Sequence, residues 1–449
     1  MRFCKLTTAG LALAALSSAP MVVQAMTLEE AVNAAIIFHP QIQRDEALER
    51  VADQEIEEAY SRYLPTVDLD VALGREITST PVTRQAGNGG TVGNFVLDAN
   101  GVARQMIVDG GATPGSVAAA RANRRGATGD LRETSELIAI DAVQLYLNVQ
   151  RDREFVALAE DNVREHEDLV DQVEGLVAAG RGSEADTAQA NSRLALAQST
   201  LEELRGTLRE SESRFIETVG QEPGDLEPVA LPGDYVEPAT LDETIALAME
   251  GNPSVQASSA RVAQTKHEIR VARANFYPRV DVEAFSGWRE NQSGVDGTDA
   301  DLNLRARGRW NVFNGFGDVA RERQAEQLHN AAIGTFDDER RRIREETRVV
   351  WDSLETARAQ VPPLTQHVEA QRRVREAYRG QFDVGRRTLL DLLDSQNELF
   401  QAELQLTDAE FNVDVSEYEL IFVTGRLLKT LGIVVPSDED DHLERGETD

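Results

Sequence analysis

Hydrophobic residues recur every seven positions over long stretches of the chain. Val149, Val156, Val163, Val170 and Val177 form one seam; Leu194, Leu201, Leu208 and Phe215 form another. Sustained heptads with charged flanks predict coiled-coil helices, here over 116–179 and 184–219. A further helix is expected over 27–63, where Thr27 with Glu30 three residues on makes a capping box. The long helix spans about 95 Å at 1.5 Å per residue, and the two shorter ones laid end to end nearly match it. One long helix paired with two stacked short ones is the expected rod.

A second pattern, of period two, interrupts the helices. Val67, Leu69, Val71 and Leu73 alternate with Asp68, Asp70, Ala72 and Gly74. Further on, Leu302, Leu304, Ala306, Trp310 and Val312 alternate with Asn303, Arg305, Arg307, Arg309 and Asn311. Such segments are strands with one apolar and one polar face. A half-wet sheet would show this alternation, and so would a membrane barrel with a polar lumen.

The two patterns occur twice because the chain is duplicated. Thr27-Leu28-Glu29-Glu30 resembles Thr240-Leu241-Asp242-Glu243, and at the same offset of 213 Pro40 falls on Pro253 and Pro65 on Pro278. Later the offset is 205: Gly180-Arg181 falls on Gly385-Arg386, and Asp186 on Asp391. The first copy therefore carries eight extra residues between Pro65 and Asp109. Leu399, Leu406, Val413 and Leu420 repeat the seam of the first copy, and Val350, Leu354, Ala357, Val361, Leu364 and Val368 form that of the second long helix. Pro362-Pro363 is expected to interrupt and kink that helix. The resulting division is a leader at 1–25, a first repeat at 26–220, a Pro-rich linker at 221–239, a second repeat at 240–432 and an acidic, disordered tail at 433–449.

Composition narrows the setting. The 449 residues carry a formal net charge of −32, which argues against a nucleic-acid partner. Past residue 26 no apolar run approaches the roughly 20 residues of a membrane helix. Arg2 and Lys5, an apolar stretch over Leu6 to Leu16 and Val23-Gln24-Ala25 make an export signal, cut after Ala25. The single cysteine, Cys4, lies within it, so the exported chain would have neither a disulfide nor a lipid-modified first residue. Export together with alternating segments of 10–12 residues favours the barrel. Four strands per chain cannot close one, since known bacterial barrels begin at eight, and open edges are not tolerated in lipid. An oligomer is required.

This layout resembles the TolC-type outer-membrane channel-tunnel family. The stretch Gln381-Phe382-Asp383-Val384-Gly385-Arg386-Arg387-Thr388-Leu389-Leu390-Asp391-Leu392-Leu393-Asp394 is similar to the family's most recognisable segment, and Gln105-Met106-Ile107-Val108-Asp109-Gly110-Gly111 to its strand-to-helix return. The resemblance covers residues 27–432. It implies an α+β membrane protein: a homotrimer whose 12-stranded outer-membrane β-barrel continues into a periplasmic α-helical coiled-coil barrel. It also implies a periplasmic adaptor, or membrane fusion protein, and an inner-membrane ABC transporter or other pump as partners. No enzymatic activity and no cofactor are implied.

Site residues carry over from the same resemblance. Gly180, Arg181, Gly385 and Arg386 fall at the turns that meet the adaptor. Arg387 and Asp186 match residues that tie the periplasmic entrance shut, and Phe382 stands where the best-known member has a tyrosine. Asp391 and Asp394, three apart, face the same way on a helix and would form carboxylate rings at the entrance of a trimer. Asp68, Asp70, Asp281, Glu283, Arg305, Arg307 and Arg309 are expected on the barrel lumen. The stretch Arg387 to Phe400 looks most like the branch that serves type I secretion of large proteins, including repeat-rich adhesins; small-molecule or drug efflux is the alternative. The six histidines are scattered and form no metal-binding pattern, and Gly87 to Gly93 lacks the lysine of a phosphate loop.

Overall fold

A computed structural model describes residues 25–85, 90–233 and 235–434 of the chain. The expected leader, apart from Ala25, and the acidic tail beyond Val434 lie outside the described residues. The first half contains α1 (Leu28–Phe38), α2 (Pro40–Ser61), β1 (Thr66–Thr78), a short α3 (Pro81–Gln85), β2 (Val92–Val108), α4 (Ala112–Ala178) and α5 (Glu184–Val219). The second half repeats that order with α6 (Leu241–Gly251), α7 (Pro253–Ala274), β3 (Arg279–Glu290), β4 (Thr298–Arg309), α8 (Gly317–Asp383) and α9 (Leu389–Val423), and ends on α10 (Leu427–Thr430). None of the described helices is long and apolar enough to cross a membrane.

The single helix expected over 27–63 is two helices, α1 and α2. Pro40 opens α2 and forces His39 out of the helical region, to φ −72° and ψ 125°. The His39 ring then accepts the Gln41 backbone N–H through Nδ1 at 3.3 Å, capping the new helix. Asn252 and Pro253 do the same between α6 and α7. The interruption expected at Pro362-Pro363 does not occur. Pro362 and Pro363 lie inside α8, which runs unbroken through them for 67 residues. Flanking turns hold the helix together across the missing donors.

The rod follows the predicted pairing. α4, about 100 Å long, packs against α5 along one half and against α1 and α2 along the other; α8 packs in the same way with α9, α6 and α7. α7 lies between α4 and α8 and welds the two halves together. The largest core gathers at mid-rod, where Leu28, Val32, Leu131, Val143, Tyr146, Leu147, Phe215 and Ile421 are buried together. The 221–239 segment is part of this core: Leu226, Val229 and Tyr235 pack on it. The Tyr146 hydroxyl donates to the carbonyl oxygens of Met26 and Glu227 at 2.7 and 2.8 Å. Smaller clusters continue toward the hairpin tips, one of them built from Val170, Val173, Leu389 and Leu393.

At the other end of the rod the strands form one antiparallel sheet in the order β1-β2-β3-β4. The extra length of the first repeat is spent here, on 13- and 17-residue strands against two of 12. β4 ends at Arg309, so Trp310 and Val312, expected to continue the alternation, lie beyond the sheet. Trp310 instead donates its indole N–H to the Phe276 carbonyl at 3.1 Å. Among the described residues, β1 and β4 have no strand partner on their outer edges.

Candidate functional site: a two-faced sheet and the hairpin tips

Register places side chains on the sheet. Val67 opposes Ala103, Leu69 opposes Gly101 and Leu73 opposes Leu97. The same pleat continues through Ala99 to Trp288 and on to Ala300, and through Ser286 to Leu302. This face is bare: Leu69 is 76% and Leu302 80% exposed. An exposed apolar face this large is costly in water and matches lipid.

The opposite face collects the seven residues expected on the lumen. One row runs Thr66, Arg104, Glu283, Arg305, and the next holds Met106, Asp281 and Arg307. Asp68 and Asp70 stand on the same face two and four positions further along β1. Glu283 is only 3% exposed. It accepts from Arg104 Nε at 3.1 Å and Arg305 Nε at 3.4 Å, with Arg307 Nη2 at 3.2 Å. Arg279 pairs with Asp281 at 3.0 Å. A buried carboxylate needs such partners, because an unpaired charge is expensive to desolvate.

Aromatic residues mark the junction of sheet and rod. Tyr63, Tyr277, Trp310, Phe313 and Phe316 are all exposed there, at the ends of the strands. Amphipathic rings at such a level are what a membrane–water boundary favours.

At the far end of the rod, two hairpins turn on Gly180 and Gly385, whose φ values of 72° and 73° lie in the left-handed region. Arg181 N–H donates to Leu176 O at 2.8 Å and Arg386 N–H to Gln381 O at 2.8 Å, the 6→1 bond of a Schellman cap. No neighbour approaches either glycine, so conformation rather than space demands glycine. Arg181 and Arg386 are exposed beside them.

The residues expected to tie or narrow the entrance are engaged locally. Asp391 completes a capping box: its Oδ2 accepts from Thr388 Oγ1 at 2.7 Å and from Thr388 N–H at 3.3 Å, while Asp391 N–H donates to Thr388 Oγ1 at 3.2 Å. Asp186 does the same with Ser183. The hydroxyl hydrogen bond in each box, helped by the backbone N–H, holds both carboxyls below their ordinary range. Within one chain Arg387 does not reach Asp186. Its guanidinium lies 4.1 Å over the Tyr378 ring, donates to Gln381 Oε1 at 3.1 Å and stands 3.6 Å from Asp391. Asp394, though on the same helix as Asp391, accepts from Arg193 of α5 at 2.9 Å. Phe382 packs on the tip core beside Leu389 and Leu393. Tyr378, Gln381 and Arg193 are not singled out by the sequence, because a cation–π platform and a cross-helix donor leave no mark in local spacing. Among the described residues no group of His, Cys, Asp and Glu could hold a metal ion.

Comparison with known proteins agrees with this geometry. The pattern of the family described as "Outer membrane efflux protein" matches residues 31–221 and 244–426, one span per repeat. The chain is 26% identical to the outer membrane efflux protein BepC of Brucella suis over 382 residues, 84% of this chain and 80% of that one. It is 22% identical to the alkaline protease secretion protein AprF of Pseudomonas aeruginosa over 309 residues, 66% of this chain and 63% of that one. The fold is that of the Campylobacter jejuni outer membrane channel CmeC, with a TM-score of 0.80 at 15% identity over 99% of this chain and 97% of that one. The outer-membrane channel OprN superposes with a TM-score of 0.77 at 19% identity, covering 89% of each chain. With a duplicated helix–hairpin–helix rod, a two-faced sheet and a family pattern matched across both repeats, the chain belongs to the outer membrane efflux protein family, conduits of the Gram-negative outer membrane that perform no catalysis.

Proposed function

We propose that three copies of this chain close a 12-stranded barrel, polar faces inward, and continue it as a helical tunnel across the periplasm. The observation that carries this is the sheet: apolar on one face, charged on the other, and without a strand partner at either edge among the described residues. Lipid does not tolerate open edges, and two or more copies pairing β4 of one with β1 of the next would remove them. In the tunnel, Asp391 and Asp394 form the narrow periplasmic entrance, and Arg387, Asp186 and Phe382 hold it closed. The exposed turns at Gly180-Arg181 and Gly385-Arg386 receive a periplasmic adaptor, which links the duct to an inner-membrane ABC transporter. A heat-labile trimer in the detergent-extracted outer membrane is the expected finding; a monomer released without detergent would overturn the duct.

For cargo, we propose exported protein delivered by type I secretion. The stretch Arg387 to Phe400 supports this, as does the likeness to a protein named for alkaline protease secretion. Small-molecule efflux is the second reading, favoured by the higher identity to BepC, which is named for efflux. Deleting the gene separates them. Loss of a secreted protein with unchanged drug susceptibility is expected, and increased drug sensitivity with intact secretion would reverse the order.

A further inference from the structure

The polar face of the sheet is not uniformly acidic, although the chain as a whole carries −32. Its charges separate by height. The three rows nearest the rod hold Arg104, Arg279, Arg305, Arg307 and Arg309 against only Asp281 and Glu283. The rows above hold Asp68, Asp70, Asp98, Asp299 and Asp301 against only Arg289. In the lower band three guanidinium groups converge on the one Glu283 carboxylate, so the node stays cationic even though every member is paired. Arg104, Arg305 and Arg307 keep 42%, 54% and 40% of their side-chain surface exposed, while Glu283 keeps 4%. The anion is covered and the cations are presented.

We propose that this arginine collar is a binding and selectivity site for anionic groups, carboxylate or phosphate, on molecules passing through the duct. The inference rests on the duct reading, since only a closed barrel turns the face inward. A guanidinium presents a planar fork of donors that suits both oxyanions. Closure would repeat the collar in each copy around a low-dielectric wall, which focuses its field. The acidic band beyond it and the carboxylates at the periplasmic end would then make the path alternate in sign, so that cargo meets the collar as a cationic zone between acidic ones.

The test uses single thiols in the full-length oligomer, in a Cys4→Ser background. Thr66→Cys reports on the collar, because Thr66 is exposed and pairs with Arg104. Ala72→Cys reports on the acidic band, because Ala72 is exposed and pairs with Asp98. Two membrane-impermeant thiol reagents of similar size are compared, one sulfonate and one trimethylammonium. The sulfonate should label the collar thiol several-fold faster, and the order should reverse at the acidic-band thiol. Arg305→Gln with Arg307→Gln should abolish the preference at the collar and leave the acidic band unchanged. Because that double variant removes two partners of Glu283, Arg309→Gln, which touches no Glu283 pair, serves as the second variant and should lower the ratio by a smaller factor. Citrate or tripolyphosphate should protect the collar thiol from the sulfonate: citrate alone identifies carboxylate as the preferred group, tripolyphosphate alone phosphate, and both a shared oxyanion site. Equal labelling of the collar thiol by the two reagents, or protection by neither anion, overturns the collar. Failure of the duct itself looks different: the chain would then run as a monomer without detergent, whatever the labelling ratios.

Discussion

α4 and α8 are the same helix made twice. Each has 67 residues, each follows a β-hairpin, and each pairs with a shorter antiparallel helix. Yet 25 residues of α4 are buried and only six of α8. Tyr146 on α4 is fully buried, while its repeat equivalent Trp351 is only partly buried. Glu136 on α4 is buried against the 427–428 turn, whereas Arg341 at the same place on α8 faces solvent. Gly129 on α4 lies so close to α7 that a Cβ would meet Ala257 Cβ at 2.9 Å and its backbone at 3.0 Å; at Gly334 on α8 nothing lies within 4 Å. The first copy holds the interior of the protomer and the second holds its flank. In the proposed trimer that flank, like the open edge of β4, is where the next copy sits.

The largest expected effect breaks this contrast at its centre. Tyr146→Ala removes a buried ring packed on Phe215 and two hydrogen bonds, and should destabilise the fold by about 3–5 kcal/mol. Trp351→Ala should cost clearly less in the monomer. Denaturant unfolding of both variants measures the difference, and equal losses would mean that α8 is as central as α4.

Glu136 comes next. Its carboxylate accepts the backbone N–H groups of Leu427 and Leu428 at 3.2 and 3.4 Å, tying α10 to α4. Burial pushes its pKa up to about 7, opposed by those two amides. The native carboxyl therefore binds its proton more tightly than the unfolded one. From pH 4.5 to about 7 the native state carries the extra proton, so stability falls as pH rises, by on the order of 3 kcal/mol across the window. Glu136→Gln should flatten that slope, read by thermal melts at pH 5 and pH 8. An unchanged slope would place the titration elsewhere.

Gly129→Ala should cost about 1–3 kcal/mol, since the Ala257 backbone must move. Gly334→Ala should be neutral or stabilising by up to about 1 kcal/mol, through helix propensity. A loss at Gly334 as large as at Gly129 in the assembled oligomer would show another copy packed there as tightly as α7 packs on α4. The smallest contrast is expected at the tips, where the repeats are alike. Ser183→Ala and Thr388→Ala each remove one capping box and should each cost about 1 kcal/mol. Because Asp186 and Asp391 titrate below their ordinary range, that cap contribution persists above the usual carboxylate pKa and fades as pH falls below it. Unequal losses at the two tips would break the symmetry that the sequence suggests.

Several features are readable from local spacing because local spacing causes them. The heptad seams, the capping boxes at Thr27 and Thr388 and the period-two faces of β1 and β4 depend on residues a few positions apart. The break at His39-Pro40 is readable in principle, since a proline restricts the residue before it, but the amphipathic period runs straight across it. Pro362 and Pro363 show the reverse, a local breaker overruled by the long helix around it. At the tip, spacing puts Asp391 and Asp394 on one helix and Thr388 three residues before Asp391, but does not reveal that Arg193 holds Asp394. Arg193 lies 201 residues away from Asp394 in the chain.

By itself the sequence determined the duplication, through like segments 213 and 205 residues apart, and the type and order of the elements and the two faces of the sheet, which are written in periodicities of about 3.5, 3.6 and 2 that a short window contains. The tertiary structure alone decided what covers each of these two helices of equal length. A heptad seam states that a helix will be covered, but not by what. That choice is made by distant crossings: Gly129 against Ala257, Glu136 against the 427–428 amides, and three arginines from two strands against Glu283.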